Sequence, residues 1–244
     1  MDIIRRELTV EWGLSFLIVL VSAAVQAGTG FGFAILAIPL LLLVHQDHSA
    51  VSVALGLSLI SSVSTLPRVV RDTDRSLLRK LLIGSLFGLP LGGVVFVMLD
   101  IYWLKLVAGI CIILFAIPLL INIRLPLGNG KGIGFASGFL GSSIGMPGPP
   151  VVLYLLSNKI GKQTFRGTSI AYYSIVNAIS FTIQMMSGRV NVSEMSYAVL
   201  LIPAIFVGQA IGLAVARGLN QLWFRRATFI LLIATGVQAV LSSI

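Results

Sequence analysis

Long apolar runs alternate with short polar stretches along the whole chain. With soft boundaries the runs cover residues 12–44, 49–66, 81–99, 104–123, 132–156, 167–186, 197–216 and 224–244. Uncharged runs of about 18 residues or more predict membrane-spanning helices, because a helix of that length matches the hydrocarbon core. The joining loops are short, and the longest charged one is RVVRDTDRSLLRK, residues 68–80. No stretch resembles a soluble domain, a linker or a low-complexity tail. The predicted fold is an all-α integral membrane protein, one domain over residues 1–244.

The first run is too long for one straight crossing. As a continuous helix, residues 12–44 would extend close to ~50 Å at about 1.5 Å per residue, against a hydrocarbon layer of about 30 Å. Inside it stands VQAGTGFGFAILAIP, residues 25–39, with Gly28, Gly30 and Gly32 on alternate positions. The fifth run holds SSIGMPGPPVVLYLL, residues 142–156. Glycine relaxes the steric limits on the backbone and proline removes an amide donor, so together they break a helix. Each run therefore reads as a glycine/proline-broken helical hairpin.

These two interruptions belong to an internal repeat. At a separation of 117, Gln46 falls on Gln163, Ser52 on Ser169 and Gly28 on Gly145. LIGSLFGLPLGG (82–93) lies on LIPAIFVGQAIG (201–212), and DIYWLK (100–105) on NQLWFR (220–225), with Trp103 on Trp223. Two four-segment repeats result, 12–127 and 129–244.

The basic residues decide how the halves are related, since Lys and Arg gather on the cytoplasmic side. If every run crosses once, ten of the 17 basic residues fall on one side and seven on the other. If the first run of each half returns to its starting side, only Arg5, Arg6, Lys105 and Arg189 stand apart from the other thirteen of the 17. The second arrangement separates the charges, makes the repeats inverted and puts both termini on the outer face. The first run exceeds a signal-peptide core and shows no small-residue cleavage site ahead of a soluble domain, so it is expected to stay as an anchor.

Composition narrows the function. The chain is 57% hydrophobic and 10% charged, against about 25% charged residues in soluble domains. Its formal charge of +9 follows from basic membrane-flanking loops rather than nucleic-acid binding, and no nucleic-acid partner is expected. The lone Cys111 has no disulfide or metal partner and reads as packing. His45 and His48 read as solvated loop residues. Trp12, Trp103 and Trp223 near segment ends read as interfacial anchors. No Ser/His/Asp set, metal-ligand spacing or nucleotide loop is present, so neither an enzyme nor a cofactor or metal is expected. GTGFG follows no strand and opens no βαβ unit, which excludes a dinucleotide fingerprint.

The polar residues inside the runs suit an anion. All eight acidic residues sit at or near segment ends, so a buried carboxylate relay or a carboxylate cation site has no residues to build on. A broken helix in a membrane must be buried in protein or line a watery cavity. The half-helix after each break begins with unsatisfied amides and a partial positive charge, which suits an anion. The first tip should supply more backbone donors, since Pro149 and Pro150 have none to offer. The candidate binding residues are Gln26, Gly28, Thr29, Gly30 and Gly32 at the first tip and Ser143, Gly145 and Gly148 at the second. Arg166, Ser169, Tyr173 and Asn177 join them, at spacings of three, four and four that share one helix face. Each has an alternative reading: helix packing for the glycines, a topology-setting charge for Arg166, an interhelical hydrogen bond for Asn177 and Gln26.

In AGTGFGFAILAIP, GSSIGMPGPPVVLYLL and GTSI (167–170), weakened to AVSV (50–53), the chain resembles the TauE/SafE family, exporters of sulfite and organosulfonates in bacteria and archaea. The resemblance spans nearly the whole chain, and Phe31 and Pro147 stand where the family often has glycine. It implies a secondary transporter in the plasma or inner membrane that exports a small anion, sulfite or an organosulfonate. The anion would bind at the midplane between the two tips, and one repeat bundle would move against the other. Proton coupling is implied by the family alone. The implied partners are the anion, the lipid bilayer and a second copy in a homodimer. A small-anion channel using the same donors is the alternative.

Overall fold

A computed structural model describes residues 2–45, 48–120, 129–158, 160–188, 190 and 192–218. Among these residues the regular structure is entirely helical. Helices α1 (Asp2–Thr29) and α2 (Phe33–Val44) flank three non-helical residues. Helix α3 (His48–Val69) passes through a 3-10 turn (Val70–Asp72) into α4 (Arg75–Met98), which is followed by α5 (Ile101–Leu120). A second pair, α6 (Gly130–Ile144) and α7 (Gly148–Ser157), precedes α8 (Lys162–Met186) and α9 (Val192–Gly218). The eighth apolar run, 224–244, and with it Trp223, lies outside the described residues, so the second half is seen through α9.

Among the described residues, four helices are long and apolar enough to cross a bilayer: Glu11–Thr29, Ser49–Asp72, Arg75–Met98 and Ala198–Val215. Helices α2 and α7 are short and apolar, and most residues of each are buried. They are apolar all round because protein surrounds them, whereas α4 shows Leu86, Phe87 and Leu91 on its exposed face, as a lipid-facing helix does.

Several helices begin before or extend beyond the apolar runs, because charged and polar residues can form helix ends. The stretch 68–80 is not a loop throughout. Asp74 accepts hydrogen bonds from the Ser76 and Leu77 amides at 2.8 and 3.0 Å, which starts α4 at Arg75 and places Arg75, Arg79 and Lys80 on a helix. Helix α8 starts at Lys162 after Gly161, without a side-chain cap, so Arg166 is helical, and α1 reaches back to Asp2. Hydropathy marks only the part of a helix that lipid or protein covers.

Glycine sets the closest helix contacts. A Cβ on Gly84, Gly88 or Gly92 of α4 would collide with the carbonyls of Lys131, Phe135 and Phe139 on α6. On α9, Gly208 and Gly212 stand against the carbonyls of Leu20 and Ala24 on α1 in the same way. Small residues let membrane helices approach backbone to backbone, where packing rather than hydrophobic burial holds them together. Helices α3 and α8 pack on each other, tied by Asn177 Nδ2 donating to Ser58 Oγ at 2.8 Å and Ser52 Oγ donating to Gln184 Oε1 at 2.7 Å. Across the ends of the first pair, Ser15 Oγ and His45 Nε2 are 2.9 Å apart, so His45 has a partner although it is exposed.

Candidate functional site

The first interruption comes from Gly30, whose φ of +81° lies in the left-handed region open to glycine. Thr29 Oγ1 donates to the Val25 carbonyl at 2.7 Å and accepts from the Phe31 amide at 3.1 Å, closing the end of α1. Gly32, in extended conformation, then caps α2. The second interruption comes from Gly145, with φ of +74°. Its amide and that of Met146 both turn back to the Leu140 carbonyl. Pro149 and Pro150 occupy the first turn of α7, where a missing amide hydrogen costs no helix bond. Gly30 and Gly145, both at positive φ, are 115 residues apart, so Gly30, rather than Gly28, is the conformational counterpart of Gly145.

The two tips meet. A Cβ on Gly32 would stand 3.6 Å from Gly148 Cα. One face of α8 runs along both. Arg166 packs on the first tip, its Cα 3.1 Å from where a Gly30 Cβ would be. Ser169 Oγ donates to the Gly30 carbonyl at 2.9 Å. Tyr173 Oη reaches the Gly148 carbonyl at 3.5 Å. Asn177 follows one turn on, against Ser58. The face formed by spacing alone is therefore the face that touches the interruptions.

Several residues with donor groups spend them locally. The amides of Gly28 and Thr29 lie within α1, and the Gly30 amide donates to the Gln26 carbonyl at 2.8 Å. Ser143 Oγ donates to Phe139 O at 2.7 Å. Gln26 bridges helices: its Nε2 donates to Ser62 Oγ at 3.0 Å and its Oε1 accepts from Ser61 Oγ. Gln209 joins the same cluster through Ser61 and Ser64. Gly145 faces Ile38 and Val51, an apolar wall. Pro147 has no amide hydrogen, so at the second tip only Gly148 keeps a backbone donor, while at the first tip those of Gly32, Phe33 and Ala34 open α2.

Two buried polar atoms on the α8 face have no partner, Arg166 Nε and Asn177 Oδ1. A buried polar group left unpaired is costly, so each marks a place where something polar belongs. The two ends of an Asn amide are assigned from the surrounding hydrogen bonds. Ser58 Oγ can donate as well as accept, so turning the Asn177 amide over keeps the Ser58 bond and frees the NH₂. Arg68 adds a second positive charge near Arg166. Sequence reasoning passed over Arg68 and Ser58. Ser58 was visible as a polar residue inside an apolar run, but no spacing within α3 ties it to Asn177.

Helices of spanning length, together with the short, mostly buried helices α2 and α7, define a multi-pass helical membrane protein. The chain matches the sulfite exporter TauE/SafE family over residues 15–239 and belongs to that transporter family. No curated protein and no solved structure matches it.

Proposed function

We propose that the protein is a secondary transporter, an exporter, for a small sulfur oxyanion or organosulfonate that binds where the two tips meet. The observation that carries the reading is Arg166 Nε, buried without a partner against the Gly30 tip. Arg166 supplies the charge, and its planar guanidinium suits a sulfonate or sulfite oxygen. The free amides that open α2 add fixed partial positive charge. Asn177, turned over, supplies a neutral donor. Ser169 and Tyr173 hold the tips to α8 through backbone carbonyls, and so position the site without spending charge on it.

Inverted repeats with fold-back hairpins fit this reading. Ser15 lies well before the first interruption and His45 well after it, yet their side chains bond, which supports α2 returning alongside α1. The turn at 69–73 lies against Gly167, and the Asp74 amide donates to Thr168 Oγ1 at 2.9 Å. That supports the basic stretch 68–80 and the start of α8 sharing one side of the membrane, as the charge count requires. The matching glycine contacts of α4 with α6 and α9 with α1 support the two-repeat division at 12–127 and 129–244. Motion of one repeat bundle against the other around the tips would give alternating access.

The test is sulfite flux into sealed proteoliposomes holding the purified full chain. Wild type should show saturable flux that unlabelled sulfite or sulfoacetate accelerates from the opposite side. Arg166→Gln should weaken apparent affinity by about tenfold to a hundredfold, the range for one hydrogen bond to a charged group. Arg166→Lys, which keeps the charge and loses the fork, should fall between. Unchanged flux in folded Arg166→Gln would remove Arg166 from the site.

A further inference from the structure

A groove of about 370 Å³ runs between α4 and α8, and none of the tip residues lines it. At one end it is lined by Arg75 and Arg79, and below them its α4 wall runs from Leu78 to Leu89. Its α8 wall includes Ile175 and Ile179, which are 40% and 37% exposed, so the groove opens sideways. We infer that it is a binding site for one anionic phospholipid, with the headgroup phosphate at Arg75 and Arg79 and an acyl chain along Leu78–Leu89.

Length supports a lipid. Leu78 and Leu89 are eleven steps apart, about 16 Å of helix rise, close to half of the ~30 Å hydrocarbon core and so to the depth of one leaflet. Charge supports an anionic one. An acyl chain fits any lipid-facing groove, but this one ends in two arginines a single turn apart. The nearest carboxylate in sequence, Asp74, is already engaged by the Ser76 and Leu77 amides. The arginines also sit in the opening turns of α4, where the helix dipole favours an anion over a cation. A phosphate there relieves both, and Arg binds phosphate through paired N–H donors. Basic groups at a membrane surface select anionic headgroups in general. The groove adds a fixed seat for the chain.

The full chain, purified in detergent, is tested by native mass spectrometry with phosphatidylglycerol and phosphatidylcholine of identical acyl chains in equal amounts. Wild type should retain one phosphatidylglycerol in about tenfold preference, given the attraction of two basic groups for an anionic headgroup. The double variant Arg75→Gln/Arg79→Gln should lose that preference. The double variant Arg71→Gln/Lys80→Gln removes the same charge from the same basic stretch outside the groove lining, and should keep it. Ile179→Trp, which fills the groove, should cut retention of both lipids. Equal retention of the two lipids by wild type would overturn the assignment. So would equal loss in the two charge variants, which would mean a diffuse surface effect, or a groove protected by a second copy of the chain. Sulfite flux is read separately, so failure here leaves the tip site standing.

Discussion

Among the described residues three glycines have positive φ, Gly30, Gly145 and Gly188, and replacing each with alanine separates backbone strain from contact with the site. An alanine in the left-handed region costs roughly 1–2 kcal/mol, and this applies to all three. At Gly188 a new Cβ meets nothing within 4 Å, so Gly188→Ala should show the strain alone. At Gly30 the Cβ lands 3.1 Å from Arg166 Cα and Cγ and 3.2 Å from its Cβ. A backbone atom in that set cannot swing aside, and overpacking of this kind costs about 1–3 kcal/mol. Gly30→Ala should therefore be less stable than Gly188→Ala by about 1 kcal/mol or more. It should also push Arg166 off the tip and weaken sulfite affinity. At Gly145 the Cβ meets the side chains of Ile38 and Val51, so Gly145→Ala should lose stability with sulfite affinity intact. Denaturant unfolding in one fixed detergent and sulfite flux in proteoliposomes read the two effects separately. Equal stability of Gly30→Ala and Gly188→Ala, with wild-type sulfite affinity in both, would refute the reasoning.

Two further outcomes test the packing and the sidedness. Gly88→Ala drives a Cβ into the Phe135 carbonyl and should destabilise the protein by about 1–3 kcal/mol, whereas Gly161→Ala, with nothing within 4 Å, should stay within about 0.5 kcal/mol; unfolding midpoints decide. In a Cys111→Ala background, cysteines at positions 71 and 162 should react with an impermeant maleimide from the same side of sealed vesicles, and labelling from opposite sides would defeat the fold-back arrangement.

Much of the architecture was legible because lipid imposes simple rules. A chain that must satisfy its backbone without water shows its helices as apolar runs, and α3, α4 and α9 were read in that way. The boundaries were less so: α4 and α8 begin among charged residues, where hydropathy is silent, and at α4 the Asp74 cap decides. The α8 face was read from spacing, since three- and four-residue steps share a helix face whatever lies opposite.

Which donors remain free was not legible. Gln26 and Asn177 look alike in the sequence, each an amide inside an apolar run. Gln26 is held at both ends by Ser61 and Ser62, while Asn177 has one end held and one unpaired. Likewise Gly28 and Gly30 are two residues apart, yet one is an ordinary helical residue and the other makes the turn against Arg166. The sequence by itself determined the class of protein and its helical, membrane-spanning character, because these follow from composition and from steps along one chain. The tertiary structure alone decided that the two tips meet, that Arg166 Nε is buried beside them without a partner and that Arg75 and Arg79 head a groove. Those facts depend on residues far apart in the chain reaching within a few ångströms of one another.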